Sequence, residues 1–137
     1  MSTPTYTACH LVKSEDLNHH GTLYAGRTAE WFVESGFIAA ASLTKPENIV
    51  CLKIHGMTFT APVLKGSLAK FDSKAIYTGK TKIVVQIILT VGGEEVVKGF
   101  ITFINVDMNG QSLPHGKVIV PETDEEKELY EIGKALR

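Results

Sequence analysis

AGRTAEWFVESGFIAAASL, residues 25–43, is the stretch that settles the fold. Ala25, Ala29, Phe32, Val33, Gly36, Phe37, Ala40 and Leu43 recur at three- and four-residue spacing and make one broad apolar face on a helix of about five turns. Arg27, Glu30 and Glu34 interrupt the run and Pro46 follows it, so it reads as a buried core helix and not as a membrane span. Ser35, Gly36, Ala39, Ala40, Ala41 and Ser42 crowd its second half and leave little side chain between the helix axis and whatever packs on it. A sheet can therefore wrap closely around this helix.

The flanking sequence supplies such a sheet. Tyr6 to Val12 alternates loosely and suits a first strand, and Lys13 to Gly21 is a polar loop. After the helix come four strand-like runs: Asn48 to Thr60, Ser67 to Tyr77, Ile83 to Val91 and Glu95 to Val106. In the second run Ala69, Phe71, Ala75 and Tyr77 fall on one side, and Lys70, Asp72 and Lys74 on the other. The third contains IVVQIIL, residues 83–89, nearly apolar on both faces, which predicts a central strand covered from both sides. Gly92-Gly93 is a hairpin signal, so neighbouring strands are antiparallel. Asn109-Gly110 marks the end of the sheet, and Pro121 followed by Glu122, Asp124, Glu125 and Glu126 puts acid at the start of a last helix. The expectation is an α+β chain forming one domain over residues 1–137. A five-stranded antiparallel sheet wraps around one long helix, and a C-terminal helix is added. Strands apolar on both faces leave surface for a second copy, so at least a dimer is expected.

Composition narrows the function. With 14 Lys+Arg against 15 Asp+Glu the formal charge is -1, so no global field draws the chain to nucleic acid or to an anionic membrane. Cys9 and Cys51 form no CxxC pair, which favours a reducing cytoplasm, and Met1 to Thr7 lacks the features of a secretory signal. His10, His19, His20, His55 and His115 show no metal-ligand spacing, so no metal site is expected.

The chemistry concentrates in NHHGTLYAGR, residues 18–27, where a polar loop meets the first turn of the core helix. The first N–H groups of a helix have no intrahelical partner, so a carbonyl or anionic oxygen arriving there finds aimed donors and the positive end of the dipole. Ala25 and Gly26 permit close approach. The same residues also suit an ordinary helix start.

That segment, together with Glu30-Trp31, Phe59-Thr60-Ala61-Pro62-Val63, Tyr77-Thr78-Gly79-Lys80, Phe103 to Gly110 and Pro121-Glu122-Thr123, resembles the hotdog-fold acyl-CoA thioesterases, in particular the cytosolic acyl-CoA hydrolase branch. The resemblance implies the hotdog fold and hydrolysis of an acyl-CoA thioester to free acid and CoA, with no cofactor, because CoA is part of the substrate. It assigns carbonyl polarisation to the N–H of Ala25, supported by Gly26. It gives Asn18 the task of orienting the water or the carbonyl, from a facing copy. The family places an Asp, or sometimes a Glu, seven residues after Gly26, and this chain has Val33 there. Glu34 is the nearest carboxylate and the candidate base, although one residue along a helix turns a side chain by about 100°. His19 or His20 is an alternative base. Gly79, Lys80, Thr81 and Lys82 are implied as CoA contacts, with Arg27 and Lys65 as weaker candidates. Two further readings stay open: a non-catalytic acyl-CoA or acyl-carrier binding module, and a scaffold subunit that pairs with an active hotdog partner. Trp31, Phe32 and Phe37 fit either a shortened acyl tunnel or plain core.

Overall fold

A computed structural model describes residues 2–137. Helix α1 (Ala25–Ala41) lies in the concave face of a single five-stranded sheet made of β1 (Tyr6–Leu11), β2 (Ile49–Phe59), β3 (Leu68–Thr78), β4 (Lys82–Val91) and β5 (Glu94–Asn105). Helix α2 (Asp124–Ala135) rests on the convex face. The strands run in the order β1-β3-β4-β5-β2 with every neighbouring pair antiparallel. β4 is thus central, as its apolar run predicts, and β1 and β2 are the two edges.

The core is the interface between α1 and the sheet. Phe32, Ala40, Phe71, Ile83, Val85, Ile87, Leu89, Ile101 and Phe103 are completely enclosed. Gly36 is required for this contact, because a Cβ there would stand 3.0 Å from Ile87 Cδ1 and 3.4 Å from Ile101 Cδ1. The small residues of α1 let its backbone lie directly on the sheet.

Tyr77 is a correction to the strand pattern. The β3–β4 register shifts between Ala75 and Tyr77, so Ile76 forms a bulge and the alternation inverts beyond it. Tyr77 therefore faces away from α1 and packs edge-on against Tyr130 of α2, ring centroids 5.0 Å apart. Gly133 closes the same contact, with its Cα set so close that a Cβ would lie 2.8 Å from that of Tyr77.

At its other end α2 is held by a capping box. Thr123 Oγ1 accepts from the Glu126 N–H, and the Glu126 carboxylate accepts from the N–H groups of Glu122 and Thr123. Lys74 of β3 reaches the same carboxylate at 2.9 Å. That ammonium first, then the two N–H donors, hold the Glu126 carboxyl down at about 2 from an ordinary value near 4.5. A depressed carboxyl contributes stability that is complete above its unfolded value and lost as pH falls through the folded one. Amide protection in α2, measured relative to the intrinsic exchange rate at each pH, is therefore expected to fall between pH 4.5 and about 2. Glu126→Gln should flatten that window, and an unchanged profile in the variant would show that this pair does not anchor α2.

Candidate active site

The loop that carries Asn18 is fixed from three directions. Asp16, only 3% exposed, accepts the Lys13 N–H at 2.9 Å, and its other oxygen lies 3.4 Å from Arg27 Nε in the first turn of α1. The Asp16 carbonyl accepts the Tyr24 N–H, and the Leu23 N–H donates to Val63, both at 2.8 Å. Arg27 is thus engaged in holding loop to helix. Asp16 carries no mark in the sequence, since Lys13 at the N-cap has no side-chain acceptor and only the Asp16 carboxylate's half of a capping box forms.

Asn18 is half-buried, and its carboxamide is oriented by its own loop. Oδ1 accepts from the backbone N–H groups of His20 at 2.9 Å and Thr22 at 3.2 Å, so the other end of the amide is Nδ2. Nδ2 donates one hydrogen to Thr22 Oγ1 at 3.1 Å, and no protein acceptor takes the second among the described residues. The carboxamide oxygen is committed, so what Asn18 can offer a ligand is an N–H.

Asn18 and Ala25 line the same cavity of the same chain, of about 330 Å³. A facing copy is not needed to bring them together, which corrects the expectation drawn from the family resemblance. The N–H groups of Ala25 and Gly26 have no protein acceptor among the described residues, whereas those of Arg27 and Thr28 both return to the Tyr24 carbonyl. Both residues are exposed, so the helix tip is open. The Tyr24 ring lies over Gly26, and a Cβ there would meet its Cε2 at 2.4 Å. Gly26 does not line the cavity, although Ala25 next to it does.

The remaining wall comes from the first turn of α1, the end of β2 with the turn after it, and the inner faces of β4 and β5. Thr28, Phe59 to Val63, Leu89 and Val97 supply it. Its polar side chains, Asn18, Thr28 and Thr60, are all uncharged, and no titratable group is among the lining residues. Phe59 to Val63 entered the sequence reading only as part of the resemblance, and its place as a wall follows from the Leu23–Val63 hydrogen bond.

The other expected residues fall elsewhere. Glu34 is exposed on the outer side of α1, Val33 is half-buried beside the core, and neither lines the cavity. His19 and His20 are exposed with their rings 3.9 Å apart, also outside it. Gly79 and Lys80 line a separate cavity of about 420 Å³ with His115 and Lys117. Lys82 lies over the Tyr77 ring at 5.6 Å. This hairpin sits by the far end of α1. There Asn105 N–H donates to the Thr81 carbonyl, and Thr44 Oγ1 donates to the Asn105 side chain. The run of β4 from Lys82 to Leu89 separates the two regions by about 23 Å. One chain therefore does not bring Gly79 to Lys82 near Ala25. A third, larger cavity of about 550 Å³ lies under α2 and is lined by Glu122, Glu125 and Glu126, whose carboxylates disfavour a polyanionic ligand.

Comparison with known proteins places these features in a family context. A model of the thioesterase superfamily matches residues 20–98. The human cytosolic acyl coenzyme A thioester hydrolase is 28% identical over 135 residues, which is 91% of this chain and 34% of that protein. An uncharacterized acyl-CoA thioester hydrolase of Bacillus subtilis, YkhA, is 26% identical over 121 residues, 84% of this chain and 69% of that one. The chain spans about a third of the length of the first curated relatives it matches, 34% in the human case. Among solved structures, an apo-hexameric acyl-CoA thioesterase superposes with a TM-score of 0.87 at 24% identity, covering 96% of this chain and 86% of the other. The strand order and the enclosed helix are thus those of the hotdog fold.

Proposed function

The chain belongs to the thioesterase superfamily, and from that premise we propose that it hydrolyses acyl-CoA thioesters in the cavity between Asn18, Ala25 and the Phe59–Val63 wall. One observation carries the reading: the unpartnered N–H of Ala25 and the spare Nδ2 hydrogen of Asn18 belong to residues lining one open, largely apolar cleft. A thioester oxygen seated there gains two donors and the helix dipole as negative charge develops on it. Water adds to the carbonyl carbon, the C–S bond breaks, and CoA leaves as a thiolate that takes up a proton. Gly26 lies outside the lining, so its N–H adds to the positive end of the helix dipole at this tip and not to a direct contact.

Val33 stands where the family resemblance places a carboxylate and cannot accept a proton, and acid–base assistance is typically worth about 10²–10⁴-fold. Glu34 is assigned as the base, acting on the cleft of a facing copy, because it is exposed on the outer side of α1. Self-association is proposed through β2, an edge strand on which Val50, Leu52, Ile54 and Phe59 are all at least 43% exposed. Gly79, Lys80, Thr81 and Lys82 are proposed to hold the CoA phosphates of a substrate bound in a neighbouring copy, since they lie too far from Ala25 of their own chain. The proposed unit is the single domain of residues 1–137, at work in the cytoplasm. Free thiols at Cys9 and Cys51 and the cytosolic relatives support that location.

A cavity lined without any titratable group also favours a second reading, a binding module that holds acyl-CoA without turning it over. Release of free thiol from acyl-CoA by the purified protein decides between the two. Asn18→Asp keeps an acceptor for the His20 and Thr22 N–H groups and removes the donor, so kcat/KM is expected to fall about 10²-fold with the melting temperature held. Glu34→Gln should lower kcat alone. If the wild type releases no thiol while acyl-CoA raises its melting temperature, the binding reading replaces the hydrolase.

A further inference from the structure

Gln86 is the one polar residue in the IVVQIIL run of the central strand, and its carboxamide is unpaired. Val85 and Ile87 on either side of it belong to the core under α1, so Gln86 points the other way, to the convex face beneath α2. It is only 9% exposed, and its side chain meets no hydrogen-bond partner among the described residues. A buried carboxamide without a partner costs stability, so something outside the chain is called for to satisfy it.

Two cavities meet at this side chain. The one of about 550 Å³ under α2 and a second of about 270 Å³ share Gln86, Ile88, Glu125 and Leu129 as walls, and together they form one groove between the sheet and the first half of α2. Its walls carry six carboxylates against Lys74 and Lys98. Two of the six are engaged, Glu126 by Lys74 and Asp72 by Thr7 and Lys70. Glu122 and Glu125 in the larger cavity, and Glu95 and Glu128 in the smaller, have no cationic partner among the described residues. Ile88 and Leu129, both half-buried, present aliphatic surface between them.

We propose that this groove binds a linear aliphatic di- or polyamine. Its ammonium groups donate to Gln86 Oε1 and to the free carboxylates, and its methylene stem covers Ile88 and Leu129. A metal ion fits less well. No three carboxylate, His or Cys side chains converge to hold one among the described residues, and an ion gives the apolar walls nothing to bury against. The groove lies across the sheet from the Asn18–Ala25 cleft, so the inference stands whether or not that cleft hydrolyses a thioester.

The test is calorimetric titration of the purified protein with spermidine at low salt, with magnesium chloride at matched ionic strength as the control for charge alone. Spermidine is expected to bind saturably at one site per chain and to raise the melting temperature by several degrees, and magnesium to do neither. Gln86→Leu removes the carboxamide and leaves the rest of the wall. Its affinity for spermidine is expected to be at least about tenfold lower. Its melting temperature without the amine should equal or exceed that of the wild type, because an unpaired buried polar group is gone. Glu125→Gln should weaken binding about two- to fivefold. Equal effects of magnesium, spermidine binding that Gln86→Leu leaves unchanged, or no saturable binding overturns the proposal. So does a Gln86→Leu chain less stable than the wild type, which would mean that the carboxamide already has a partner within the protein.

Discussion

Gly99→Ala is expected to lower the unfolding free energy by more than about 3 kcal/mol, or to prevent folding outright. The added Cβ would stand 2.1 Å from the Gly56 carbonyl oxygen and 3.0 Å from Phe32 Cζ, and the first neighbour is backbone that cannot swing aside. The carbonyl is there because β2 bulges between Ile54 and Met57 against β5. Gly56 adopts φ +106° within that bulge, a conformation other L residues rarely take. Relief would require β2 to lift away from β5, which would break an edge pairing and expose Phe32. Gly110→Ala is the matched control. Its φ is +79° and nothing lies within 4 Å of the new Cβ, so its cost is limited to local strain of about 1 kcal/mol. Urea denaturation of both variants decides the matter, and equal midpoints would mean that the Gly56–Gly99 contact does not exist in solution.

The same bulges explain what the sequence could and could not show. α1 was legible because seventeen helical residues repeat the apolar period many times over, and the β4–β5 turn because Gly92 and Gly93 supply positive φ at a hairpin. Each strand boundary falls within a residue or so of its reading. Tyr77 was misplaced because a one-residue bulge leaves no mark on an alternating pattern, yet it reverses every side chain after it. The carboxamide of Asn18 was legible as chemistry but not in place. Its position beside Ala25 of its own chain depends on Asp16–Arg27 and Leu23–Val63, contacts between residues eleven and forty apart. Separation along the chain also hid the distance between Ala25 and the Gly79–Lys82 hairpin, since both ends of α1 look alike in sequence until the strands that receive them are placed.

In a Glu34→Gln background, Val33→Asp is expected to raise kcat/KM by about 10²–10⁴-fold over Glu34→Gln alone, since water is activated across a self-association interface in the proposed mechanism. Val33 is half-buried and packs on the core, so a carboxylate there is partly desolvated and its pKa rises. The gain should therefore appear as pH rises through that raised value and then level off, whereas a purely structural effect would carry no such step. Because Val33 does not line the cleft of its own chain, the new carboxylate must serve a neighbour's Asn18 and Ala25. Mixing Glu34→Gln chains that also carry Val33→Asp and Asn18→Ala with chains carrying Glu34→Gln alone then tests the geometry directly. Each Asn18→Ala subunit has a crippled cleft but donates its Asp to an intact one, so mixed assemblies should exceed the sum of the two pure samples. Additive rates in verified mixed assemblies would place the base in the same chain as the cleft. A rate no higher than that of Glu34→Gln alone would show that position 33 does not face a neighbour's cleft.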